Sequence, residues 1–365
     1  MKQNAILIST AMLLTAAWVP AASAQDKVVN VFNWSDYIDD TIIQDFTKET
    51  GIKVVYDVYD SNEILETKLL AGGSGYDVVV PTASPFLARQ IQAGVYQKLD
   101  KSKLPNLGNM WDLITERVSK FDPGNEYSVN YMWGTTGLGY NETKVQDALG
   151  IDKVDSWDVL FDPEKAAKLA DCGIYVLDSP TDVVPSVLAY LGLDPNSTDQ
   201  ADLAKAEEVL LKVRPYIRKF HSSEYINALA NGDVCLVIGW GDLFQSRDRA
   251  ADADQGVSVG YAIPKEGAQM WFDQMAIPAD APHVEEAHAF INYIMKPEVA
   301  AKASNYVFYA NGNKASQEFL DPDVKDDPAV YPDEATLNKL FTLTPLDTKA
   351  QRNLTRLWTK VLTGQ

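Results

Sequence analysis

The sequence predicts an α/β protein of two domains, each a mostly parallel sheet flanked by helices. Three observations carry this expectation. An extended apolar run, Val28 to Asn33, opens a β-α-β-α-β succession; a second α/β succession follows Tyr140; and about 340 residues remain once the first 24 are set aside, more than one typical domain holds.

Met1 to Ala24 reads as a secretory signal: Lys2, an apolar stretch from Ala5 to Ala22, then the small-residue spacing Ala22-Ser23-Ala24. The apolar run is short for a spanning helix, which needs about 20 residues, and no other segment reads as a span. Cleavage after Ala24 removes one lysine and no acid, taking the formal charge from −19 to −20. So acidic a chain repels nucleic acid and anionic membrane, and draws cationic solutes toward itself. Plain solubility explains the same charge. Only Cys172 and Cys235 are present, and in an oxidising compartment they are expected as a pair rather than two thiols. Joined, they close a loop of about 63 residues, worth about 4 kcal/mol in the chain-entropy model.

After the first strand, a helix is expected from Asp40 to Thr50 with Gly51 as its stop, then a strand over Ile52 to Val58. A helix from about Asn62 to Ala71 ends in Gly72-Gly73-Ser74-Gly75, and Tyr76 to Pro81 reads as a buried strand. Parallel sheets bind ligands beyond the carboxyl ends of their strands. Trp34, Ser35, Asp36 and Tyr37 leave the first strand there, and Thr82-Ala83-Ser84 leave the third at the same rim. The glycine-punctuated segment Tyr131 to Tyr140 is a candidate crossing between domains. Beyond it, Ile174 to Asp178 is strand-like, Asp182 to Leu191 helical, and Val234 to Ile238 a buried strand that delivers Trp240 and Asp242 to a second rim. Val257 to Ile263 and Met270 to Ile277 flank Pro264-Lys265-Glu266-Gly267 as an expected hairpin, able to return the chain to the first domain. Residues 25–134 with about 261–307 then make the first domain, and about 135–260 with 308–365 the second.

Enzyme signatures are missing. The three histidines do not form a His-Glu-x-x-His pattern, Gly72-Gly73-Ser74-Gly75-Tyr76 fails as a nucleophile elbow, and Gly137-Leu138-Gly139 lacks the third glycine of a dinucleotide loop. No metal, cofactor or catalytic residue is expected. What remains is aromatics beside carboxylates at strand ends: Trp34, Asp36 and Tyr37; Trp240 and Asp242; Trp271, Phe272 and Asp273. That pairing suits an organic ammonium ion, whose methylenes and charge lie against ring faces while carboxylates accept its N–H groups. Each cluster also has an ordinary structural account: core tryptophans with a polar edge, and Asp36 or Asp242 as helix caps. Tyr309 reads as core or rim.

These residues, with "FNWSDYI", "TKETGIKVVYDVYDSNE", "YDVVVP", "DSWDVLF", "KVRPYIRKFHSSEYINALANGDVCLVIGW", "WFDQMAIPADA" and "VFYANGN", resemble the periplasmic polyamine-binding proteins of ABC import systems, above all the putrescine and spermidine binders. The resemblance implies a type II periplasmic binding protein fold hinged by crossing strands. It implies a monomer that closes on a diamine or polyamine and presents it to a permease in the inner membrane. It carries ligand-binding roles onto Trp34, Ser35, Asp36, Tyr37, Thr82, Asp182, Trp240, Asp242, Trp271, Asp273 and Tyr309, and a disulfide onto Cys172 and Cys235. Asp242 and Asp273 are expected to hold one ammonium, and Asp36, Ser35 and Asp182 the other end. The chain departs from the family's pattern at Pro85, which looks inserted, at Trp240-Gly241, where one residue is missing, and at Asp182, where a glutamate is commoner. Other readings stand beside this one: another cationic amine or a ferric ion on the same scaffold, a sensor component, or a secreted enzyme acting on an amine.

Overall fold

The computed structural model describes residues 27–241 and 243–364. The expected signal segment, Met1 to Ala24, and the expected site residue Asp242 lie outside the described residues.

Among the described residues, eleven strands form two sheets. The first has the order β11-β4-β10-β3-β1-β2, from β1 (Val28–Trp34), β2 (Lys53–Tyr59), β3 (Val78–Val79), β4 (Ser128–Thr135), β10 (Met270–Ala276) and β11 (Ala310–Asn311). The second has the order β7-β6-β8-β5-β9, from β5 (Gly137–Asn141), β6 (Ile174–Val176), β7 (Lys219–Phe220), β8 (Leu236–Gly239) and β9 (Val259–Ala262). Pairing is parallel where helices cross over, at β2-β1-β3 and β7-β6-β8. It is antiparallel where the chain passes between sheets, at β3-β10-β4-β11 and β8-β5-β9.

Local chemistry accounts for the first crossover. The helix Asp40–Thr50 starts because the Asp39 carboxylate accepts from the Thr41 N–H, and it stops at Gly51, whose φ of 71° is open to glycine. Its Ile42 and Phe46 are buried against the sheet. Ser61 caps the helix Asn62–Leu70 in the same way, through the Ile64 N–H. Both crossovers therefore place strand ends and helix starts on one rim.

The hairpin expected around Pro264 to Gly267 is corrected. β9 pairs with β5 in the second sheet and β10 with β3 and β4 in the first, so the intervening residues carry the chain between sheets instead of turning it back. The turn is held by the second lobe: Trp157 Nε1 donates to the Gly267 carbonyl at 2.9 Å and Lys265 N to the Asp155 carbonyl at 2.8 Å.

The expected return points shift as well. Val259–Ala262 belongs to the second sheet, so the chain leaves it only after Ala262. Residues from 308 do not enter the second lobe directly: Ala310–Asn311 pairs with β4, and Leu320, Val324 and Val330 bury against Phe121, Trp133 and Phe272 of the first. It is the helix Thr348–Thr363 that returns, burying Leu354, Leu357, Trp358 and Val361 in the second core.

Three crossings lie side by side. Thr136 N donates to the Gln269 carbonyl at 3.0 Å, Met270 N to the Phe341 carbonyl at 2.7 Å, and Phe341 N to the Ala268 carbonyl at 3.0 Å. Cys172 and Cys235 form the expected disulfide within the second lobe, tying the start of the chain into β6 to the start of β8.

Candidate functional site

A cavity opens between the lobes, enclosing about 820 Å³ when the open solvent at its mouth is included. Of the residues expected at the site, Trp34, Ser35, Asp36, Tyr37, Thr82, Asp182, Trp240, Trp271, Asp273 and Tyr309 all line it. They arrive from both sheets: from the ends of β1, β3 and β8, from the start of the helix Pro180–Tyr190, from within β10, and from just before β11.

Asp273 is buried and held by a hydroxyl on each of its oxygens. It is 5 % exposed. Tyr37 Oη donates to its Oδ2 at 2.7 Å and Thr82 Oγ1 to its Oδ1 at 2.7 Å. Thr82 is held in turn by Asn62, whose amide accepts from its N–H and donates to its hydroxyl. Burial pushes the Asp273 carboxyl up to about 7, with Asp182 adding to the rise and the two hydroxyls opposing it. Burial also drives the Tyr37 phenol well above its ordinary value, with the Asp273 charge next in effect, so it remains a donor.

Asp182 sits in the first turn of its helix, where backbone N–H groups favour a carboxylate. It accepts from Thr136 Oγ1 at 2.7 Å, Ser179 Oγ at 2.6 Å and Trp240 Nε1 at 3.1 Å. Burial raises its carboxyl; those three hydrogen bonds work against the rise. Trp240 is thereby a wall and a support for an acid at once.

The aromatics form two groups. Trp34 packs on Tyr59 at 4.8 Å and meets Trp240 edge-on at 6.2 Å. Tyr309 lies edge-on to both Tyr37, at 5.4 Å, and Trp271, at 5.0 Å. Two glycines make room: a Cβ on Gly134 would fall 2.5 Å from the Trp271 ring, and one on Gly241 2.8 Å from Tyr309.

Asp36 stands differently from the expectation. Its backbone takes a left-handed φ of 54°, which aspartate tolerates. Its side chain is 60 % exposed and lies 3.9 Å from Arg249 Nη2 of the second lobe. Ser35 donates to Asp60 Oδ1 at 2.7 Å rather than standing free. The reason is local: Asp60 follows β2, which runs parallel to β1, so the two strand ends adjoin.

Ser84, expected on the rim with Thr82, also lines the cavity, whereas sequence reasoning missed Tyr59, Asp60, Asn62, Phe86 and Gln269, which line it too. The strand-end rule that singled out Trp34 to Tyr37 applies equally to Tyr59-Asp60-Ser61-Asn62. The described lining holds four carboxylates, Asp36, Asp60, Asp182 and Asp273, and no lysine or arginine. Such a surface selects a cation with apolar stretches for the rings. Among the described residues no group of three or more His, Cys, Asp or Glu is placed to hold a metal ion, and no helix is long and apolar enough to cross a membrane.

The chain resembles known proteins along nearly its whole length. The chain is 52% identical to the putrescine-binding periplasmic protein SpuD of Pseudomonas aeruginosa (strain UCBPP-PA14), over 98% of each chain. It is 51% identical to the putrescine-binding periplasmic protein PotF of Escherichia coli (strain K12), over 96% of each. The solved spermidine/putrescine ABC transporter substrate-binding protein PotD from Streptococcus pneumoniae superposes with a TM-score of 0.76 at 30% identity, covering 93% of this chain and 99% of that one. It shares the type II periplasmic binding protein architecture of two helix-flanked sheets. With residues 41–332 matched by the family model for bacterial extracellular solute-binding proteins, the chain belongs to that family of solute carriers rather than to enzymes.

Proposed function

We propose that the protein captures a polyamine, putrescine, spermidine or a related amine, between its two lobes and delivers it to an ABC permease in the inner membrane. The observation that carries this reading is the described lining itself: four carboxylates, no lysine or arginine, and two groups of aromatic rings in one cavity. The names of the relatives, putrescine binders at about half identity along the whole chain, support it.

In this reading Asp273 takes one ammonium, positioned by Tyr37 and Thr82 and assisted by Asp242. Asp182 and Ser35 serve the other end, Asp36 guards the mouth, and Trp34, Tyr37, Trp240, Trp271 and Tyr309 flank the methylenes. A cation–π contact in such a desolvated site contributes up to about 2 kcal/mol. Binding shifts the lobes toward closure through the interactions that the ligand makes with both of them at once. No bond is made or broken. The mature protein begins after Ala24 and acts in the periplasm as a monomer.

Calorimetry with putrescine, cadaverine, spermidine and spermine tests the reading directly, and mass spectrometry of the copurifying ligand tests it independently. Heat and a thermal shift with at least one of the four are expected. Absence of both with all four defeats it.

A further inference from the structure

We propose that Gln269 is a specificity-determining acceptor, its side-chain carbonyl taking a hydrogen bond from the second nitrogen of a bound diamine, the one away from Asp273. The proposal rests on the amine reading above and adds to it a required feature of the ligand, a second N–H-bearing nitrogen.

Gln269 lines the cavity, is only 5 % exposed, and its Oε1 has no hydrogen-bond partner in the protein. A buried amide oxygen left unmade is costly, and a ligand donor recovers that cost. The terminal torsion of glutamine is soft, so the amide can turn its oxygen toward a ligand without moving the backbone.

Its place on the strand gives the geometry. Gln269 directly precedes β10 and pairs with Phe341 across an isolated bridge, so the strand's alternation carried back by one residue puts Gln269, Trp271 and Asp273 on one face, and all three line the cavity. At about 3.3 Å per residue the first and last are about 13 Å apart along the strand, with the Trp271 ring between them. An alkyl chain laid along this face covers the indole, with one charged end at Asp273 and the other near Gln269.

Gln269 also shares its end of the cavity with Asp182, because Thr136 bridges them. Thr136 N donates to the main-chain carbonyl of Gln269 at 3.0 Å while its hydroxyl donates to Asp182 Oδ1 at 2.7 Å. Asp182 already accepts three hydrogen bonds from the protein. A primary ammonium brings three N–H donors, more than that acid has lone pairs left for. The neutral carbonyl supplies a further acceptor without burying another charge.

One structural rival comes from the same face. Trp271 Nε1 is a buried donor without a partner, and a turned amide could serve it instead. Gln269→Met, close in length and with only a weakly accepting sulfur in place of the amide oxygen, separates the two. The readouts are putrescine affinity by calorimetry and the melting temperature of the ligand-free protein. We expect putrescine affinity to fall about tenfold while the ligand-free melting temperature holds or rises, since an unmade acceptor has been removed. Unchanged affinity in Q269M overturns the proposal, and so does a melting temperature that drops together with affinity, the mark of support for the indole. If the wild-type protein itself binds no amine, the amine reading fails; if it binds and Q269M binds equally well, only the present proposal does.

Discussion

Tyr37 and Asp273, 236 residues apart, are joined by a 2.7 Å hydrogen bond between the phenol and a carboxylate that burial has pushed up to about 7. The folded protein thus holds a proton on Asp273 between pH 3.8 and about 7, where an unfolded chain has lost it. More protons bound to the native state means that stability from this group is present at low pH and is lost as pH rises through that window. A cationic ligand selects the ionised form, so its affinity should rise toward pH 7 and level off above it, by at most about tenfold per pH unit. Calorimetry with putrescine from pH 5 to pH 8.5 measures this slope. Asp273→Asn should flatten it and lower affinity by about 10- to 100-fold, since an amide offers one acceptor to Tyr37 and Thr82 where the carboxylate offers two.

Trp240 has two tasks that a single substitution divides. Phenylalanine keeps a ring beside Trp34 but removes the Nε1–H that Asp182 Oδ1 accepts at 3.1 Å. With two donors left against the same burial, the Asp182 carboxyl should rise further. Trp240→Phe should therefore weaken putrescine binding, and by more at pH 5 than at pH 8.5, since a carboxyl raised further is less ionised at the lower pH. Equal losses at both pH values would mean that the indole matters only as a wall.

How much of this was legible in the sequence follows from which signals are local. The helix Asp40–Thr50 was readable from its pattern and from Gly51, because a stop signal acts within one turn. Strand ends placed Trp34, Thr82 and Trp240 on the cavity because parallel crossovers force their carboxyl ends to one side. The false hairpin at Pro264 to Gly267 marks the limit: which sheet a strand joins depends on β4 and β5, more than a hundred residues earlier. Asp60 was overlooked although its strand end neighbours that of Ser35, and Gln269 was invisible because a glutamine before an apolar strand reads as connecting loop. Asp36 lines the cavity as expected, but its place 3.9 Å from Arg249 depends on the second lobe and carries no local signal.

The disulfide makes a prediction separable from binding. It closes a sequence separation of 63 residues wholly inside the second lobe, and neither sulfur lines the cavity. The double variant Cys172→Ala, Cys235→Ala should lose about 4 kcal/mol in denaturant unfolding while its putrescine affinity stays within about twofold of the wild type. A large loss of affinity in protein that remains folded would tie the bridge to the cleft.

One helix of the second lobe, Leu243–Ala253, reaches across to the first with two arginines. Arg249 Nη2 lies 3.9 Å from Asp36 Oδ2 with both side chains well exposed, whereas Arg247 Nη1 lies 3.1 Å from Asp327 Oδ2, itself only 16 % exposed. Both pairs join opposite lobes, so they favour the closed arrangement over any state in which the lobes part. An exposed pair contributes at most about 1 kcal/mol, which is about fivefold in the closing equilibrium. Arg249→Ala should accordingly speed ligand release by no more than about fivefold, and Arg247→Ala should do more because its partner is less hydrated. Raising ionic strength from about 0.05 to about 0.5 M should shrink the Arg249 effect further than the Arg247 effect, since screening acts most on exposed charge. Stopped-flow release of putrescine in the two variants at both salt concentrations gives the four rates required. Release rates that match the wild type in both variants would show that closure depends on the ligand and the hinge alone.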